Sequence, residues 1–70
     1  MRSVRRYARQ RVVIHTADDQ SLRGFLRAAY RDHFVLSDAE YLAEGATTAI
    51  EGDAVVLRSN VAWLQILGSE

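Results

Sequence analysis

The apolar positions of this chain change period once, near its eleventh residue. In residues 3–10 (Ser-Val-Arg-Arg-Tyr-Ala-Arg-Gln), Val4, Tyr7 and Ala8 fall at i, i+3 and i+4 behind Ser3, a residue suited to cap a helix. That spacing predicts a short N-terminal α-helix. From residue 11 the helical period is gone. Residues 11–16 are rich in β-branched side chains, and Ala17-Asp18-Asp19-Gln20 supplies turn formers. Over residues 21–30, Leu22, Gly24, Leu26 and Ala28 fall on one side and Arg23, Phe25 and Arg27 on the other, the period of a strand. The two segments predict a β-hairpin. Gly24 stands in the middle of the second, where glycine marks a sharp bend, a bulge or a close backbone approach, and a small barrel needs such a point.

Tyr30-Arg31-Asp32 makes a polar break, after which residues 33–42 resume as a third strand with Phe34-Val35-Leu36 and a polar Ser37-Asp38 segment. Residues 44–53 hold Gly45, Gly52, two threonines and three acids, and read as a loop or a weak, exposed strand end. Two further apolar runs, 54–58 and 61–67, are separated by Ser59-Asn60, a connection of hairpin type. The tally is one helix and five strands. With no proline anywhere, the sheet edges lack one common guard against pairing with another chain.

Composition narrows this picture. Seventy residues make a single domain, 1–70, with the helix over about 3–10 and the barrel over about 11–67. Apolar residues at 49% with zero formal net charge exclude intrinsic disorder. The absence of cysteine removes both disulfides and thiolate metal sites as supports for a small core, which leaves oligomerisation. No apolar run approaches the ~20 residues of a membrane span, so the expectation is a soluble, cytoplasmic protein with no membrane partner. Charge is polarised: Arg2, Arg5, Arg6, Arg9 and Arg11 crowd the start, while Asp38, Glu40, Glu44, Glu51 and Asp53 occupy the middle. A solvated face is the default meaning of such a cluster.

In order and separation, these features resemble the Sm-like family. The first motif is Leu22-Arg23-Gly24-Phe25-Leu26-Arg27 followed by Phe34-Val35-Leu36-Ser37-Asp38-Ala39-Glu40; the second is Val55-Val56-Leu57-Arg58-Ser59-Asn60-Val61. The resemblance covers about residues 3–67. It implies an all-β fold, a short N-terminal helix followed by a strongly bent, five-stranded antiparallel SH3-like barrel. It also implies a homo-oligomeric ring of six or seven copies, closed by pairing of the fourth strand (54–58) with the fifth strand (61–67) of the next subunit. Such a head-to-tail contact makes a ring when the rotation closes.

The resemblance further implies that single-stranded RNA binds at the inner rim, through Tyr30, Arg31, Asp32 and His33 of one loop and Arg58 and Asn60 of the last turn. Tyr, His and Arg can stack on a splayed base, and Arg58 and Asn60 can hydrogen-bond its edge. Arg2, Arg5, Arg6 and Arg9 are candidate phosphate contacts. Two departures from the family pattern stand out: the first loop is one residue short, with His33 where asparagine is usual, and the usual Arg-Gly of the last turn is Arg58-Ser59. Trp63 and Phe34 read as packing residues, and His15 has no second histidine at metal-ligand spacing. No metal, cofactor or catalytic constellation is expected, so the chain reads as a binding protein and not an enzyme. The alternative is an SH3-like barrel that acts as a protein-interaction or assembly module and binds no RNA.

Overall fold

The computed structural model describes residues 9–69. The expected helix over 3–10 lies outside them except for its last two positions. There the expectation is corrected, because Gln10 already belongs to the first strand, β1 (Gln10–Thr16), and Arg9 before it has φ 71°. The Arg9 N–H donates to the Leu26 carbonyl, which ties the start of β1 to the middle of the next strand.

β1 is followed by β2 (Ser21–Ala29), β3 (His33–Ala43), β4 (Ala46–Ala49), β5 (Ala54–Leu57), a 3-10 turn (Arg58–Asn60) and β6 (Val61–Ser69). All pairings are antiparallel, in the order β4-β3-β2-β1-β6, with β5 also on β3. Six strands replace the expected five because residues 44–53, read as a loop or a weak strand end, contribute a strand of their own, β4, ahead of the expected fourth, β5. β4 and β5 pair with opposite ends of β3, Glu40–Ala43 and His33–Leu36, and residues 50–53 bridge the gap. The break answers a bend in β3, where two residues, Asp38 (φ 50°) and Ala39, stand opposite the single Gly24 of β2. A flat strand cannot follow such a bulge, so the chain leaves the ladder and the Ile50 N–H reaches back to the Ala39 carbonyl at 2.8 Å.

Gly24 is the inner corner of that bend. A Cβ built there would stand 3.0 Å from the Ser37 carbonyl oxygen and 3.1 Å from Ala39 Cα, so the two backbones meet where no side chain fits. Around this corner the apolar alternation closes a core of Val12, Ile14, Leu22, Leu26, Phe34, Leu36, Ala39 and Val56, with Leu64 and Ile66 of β6 packed against it. The turn from β1 to β2 is held by buried Thr16, whose hydroxyl donates to Asp18 and accepts from the Gln20 N–H at 2.9 Å.

A second correction concerns the last two strands. The Ser59-Asn60 connection does not make a hairpin: β5 pairs with β3 and β6 pairs with β1. The 3-10 turn carries the chain across the end of the barrel, from the β2–β3 turn, where the Arg58 N–H meets the Asp32 carbonyl at 2.9 Å, to the β1–β2 turn, where the Asn60 carbonyl accepts from Ala17 at 2.7 Å. Two strands adjacent in sequence therefore become the opposite edges of one curled sheet. Among the described residues, neither β6 nor β5 has a partner on its outer side.

Candidate nucleic-acid interface

The β2–β3 turn is a tight one, closed by the Tyr30 N–H on the His33 carbonyl at 2.8 Å, with Arg31 and Asp32 at its tip. Tyr30 and His33 then leave the turn side by side and stack, ring centroids 4.7 Å apart and planes 26° from parallel. His33 Nδ1 donates to Asp32 Oδ1 at 2.7 Å. That hydrogen bond is the largest of the influences holding the Asp32 carboxyl below its ordinary value; the nearby charges of His33 and Arg58 act in the same direction.

Arg58 completes the unit from the other side of the barrel. Its backbone N–H takes the Asp32 carbonyl, its Nε donates to the Tyr30 carbonyl at 2.8 Å, and its guanidinium lies 4.5 Å over the centre of the Phe34 ring. One arginine thus fixes both ends of the turn and covers an aromatic floor. Phe34, read from the sequence as packing, is buried in the core and also supports Arg58.

Four of the six predicted rim residues, Tyr30, Asp32, His33 and Arg58, therefore form one connected unit. Arg31 is exposed beside them. Asn60 is not joined to that unit: its backbone carbonyl accepts from Ala17, and it lines a groove with Thr16 and Gln20. Of the predicted phosphate contacts, Arg9 is exposed at the start of β1, and Arg2, Arg5 and Arg6 lie outside the described residues.

The groove occupies about 460 Å³ along the outer edge of β5, and both faces of that strand line it, Ala54 and Val56 from one side and Val55 and Leu57 from the other. Across the molecule, Trp63 and Leu67 stand exposed on β6. Neither edge strand carries a charged residue or a proline. The sequence order alone hid this pairing of features, because Gln20, Tyr41 and Asn60, which close the groove, come from three separate connections and strands.

Comparison with solved structures places this architecture. The backbone superposes on a heptameric archaeal Sm protein with a TM-score of 0.85 over 96% of this chain and 98% of that one, at 24% sequence identity. The chain has the Sm fold. The heptameric SmAP1 of P. aerophilum gives a TM-score of 0.86 over 97% and 92% of the two chains at 23% identity. The Sm protein of Pyrococcus abyssi, solved in complex with a uridine heptamer, gives 0.82 over 93% of each chain at 22% identity. No protein-family model matches the chain, and a search of curated proteins returns no match.

Proposed function

We propose that this protein is an RNA-binding member of the Sm-like group, assembled as a homo-oligomeric ring with single-stranded RNA at its inner rim. The observation that carries the binding role is the Tyr30–Asp32–His33–Arg58 unit. An exposed tyrosine ring, backed by a histidine and held beside an arginine on a rigid turn, is a ready stacking platform for an unpaired base. Stacking on aromatic rings is worth roughly 1–3 kcal/mol per base, so one such site per subunit is weak and a ring of six or seven is not.

The ring reading rests on the two bare edges. β5 and β6 carry no charged residue, and each leaves a row of backbone donors and acceptors without a partner among the described residues. Pairing β5 of one copy with β6 of the next fills the groove and removes both edges at once. The resemblance to heptameric Sm proteins supports this arrangement.

A second reading is favoured by one observation: Arg58 is already engaged with the Tyr30 carbonyl and the Phe34 ring. On that reading the barrel assembles but takes no RNA. Fluorescence anisotropy with oligouridine and oligoadenine across a salt series, on protein of known mass in solution, separates the two. Saturable binding that weakens with salt supports the RNA role; a ring-sized species that binds neither RNA at low salt refutes it.

A further inference from the structure

The β2–β3 turn, Tyr30-Arg31-Asp32-His33, contains no amide side chain. What it offers an unpaired base is therefore sorted by residue: Arg31 carries donors alone, and an ionised Asp32 carries acceptors alone. Asp32 is ionised at neutral pH, because the hydrogen bond from His33 and the charges of His33 and Arg58 hold its carboxyl low. His33 takes one of its oxygens, Oδ1, and the side chain stays 80% exposed. The carbonyls of the turn are already used: those of Tyr30, Asp32 and His33 accept from Arg58 Nε, the Arg58 N–H and the Tyr30 N–H. The Asp32 carboxylate is thus the charged acceptor that the turn holds out to a ligand.

We propose that this rim selects guanine, with the base stacked on Tyr30, its N1–H and N2–H donated to the Asp32 carboxylate, and its O6 and N7 accepting from Arg31. The proposal rests on the RNA reading above and names the base that site prefers. A carboxylate presents two acceptors side by side, and guanine meets them with two adjacent donors on its Watson–Crick edge. The other bases do not. Uracil sets a single N–H between two carbonyl oxygens, and adenine and cytosine set an amine beside a ring-nitrogen lone pair, so one carboxylate oxygen is repelled where the other is bound. On its remaining edge guanine presents O6 and N7 together, the acceptor pair that an arginine fork fits. Consecutive residues 31 and 32 carry the complement of both edges. Tyr30 supplies the plane: its ring is 54% exposed and is backed on one face by His33 at 4.7 Å, which leaves the other face for a base.

The departure of this turn from the Sm-like pattern points the same way. Asparagine, usual where His33 stands, joins a donor to an acceptor and so suits the mixed edge of uracil. With histidine there and its Nδ1–H turned to Asp32, that mixed pair is gone and a carboxylate is fixed beside the stack. A well-formed bidentate pair discriminates against the wrong base by roughly 5- to 150-fold. At an exposed turn, where water competes for the same groups, the lower end of that range is expected.

The test is fluorescence anisotropy at neutral pH and low salt with labelled RNA heptamers UUUXUUU, where X is guanosine, inosine, adenosine, cytidine or uridine. The native protein should hold the guanosine heptamer at least about fivefold more tightly than those with the other natural bases. Inosine, which lacks the N2 amine and so one of the two donors, should lose most of that margin, a comparison that needs no variant. Asp32→Asn keeps an oxygen for His33 but sets an amide against the donors of guanine, and should erase the preference in protein that circular dichroism shows to be folded. Arg31→Ala should weaken the guanosine heptamer more than the all-uridine one, whereas a phosphate contact would weaken both alike. Equal affinities across the five heptamers, inosine as good as guanosine, a preference that survives Asp32→Asn, or an equal loss in Arg31→Ala overturns the inference while leaving the RNA role. A ring-sized native protein that binds none of the five refutes the RNA reading itself.

Discussion

Replacing Gly24 by alanine tests the bend on which the barrel depends. The added Cβ would lie 3.0 Å from the Ser37 carbonyl oxygen, 3.1 Å from Ala39 Cα and 3.2 Å from Ala39 Cβ. Two of these are backbone atoms, and they belong to the bulge at Asp38 and Ala39, so relief requires β2 and β3 to separate where the ladder is already irregular. Overpacking of this kind costs about 1–3 kcal/mol. Against it stands the restriction of the unfolded chain by alanine, worth roughly 0.5–1 kcal/mol. The clash wins, leaving a net destabilisation of about 1–2 kcal/mol. For a domain of this size, 1 kcal/mol moves Tm by roughly 4–8 °C, so a fall of about 5–15 °C is expected. The assay is thermal unfolding followed by circular dichroism, native and variant at one protein concentration, since assembly makes Tm concentration-dependent. An unchanged or raised Tm would refute the close approach of β2 and β3 at this corner.

Three further outcomes follow from the same geometry. Phe34→Ala removes a core ring and the floor beneath Arg58, and should cost about 3–5 kcal/mol of stability in denaturant titration, with RNA affinity falling in whatever fraction stays folded. The Asp32 carboxyl, held low in the folded state by His33, contributes stability that is present above its unfolded value and is lost as pH falls through its folded value. Carboxyl chemical shifts followed by NMR should therefore show Asp32 titrating below ordinary aspartates, and a normal titration would break the assigned pair. Tyr30→Ala combined with Arg58→Ala should weaken oligouridine binding at least tenfold; a double variant that binds as the parent does removes the rim from the proposal.

Strand existence was legible in the sequence because it rests on local facts. Period-two alternation around Leu22, Gly24 and Leu26 needs only neighbours to be read, and Gly24 in mid-strand announced the bend. The turn tip at Arg31-Asp32, with Tyr30 and His33 on either side, was legible for the same reason. What the order of residues hid were features that depend on which distant segments meet. Ser59-Asn60 looks like a hairpin turn, yet β5 pairs with β3 and β6 with β1, at opposite edges of the sheet. That choice ties the Asn60 carbonyl to Ala17.

The sequence by itself therefore determined the class of element along most of the chain, the corner at Gly24 and the chemistry available at the rim, since propensity, alternation and side-chain type are local properties. Only the tertiary structure decided the break between β4 and β5, the groove along β5, the seating of Arg58 on Phe34 and the stacking of Trp63 on His15. Each of these joins residues far apart in the chain, and their proximity follows from the curl of the whole sheet, which no short window of sequence contains.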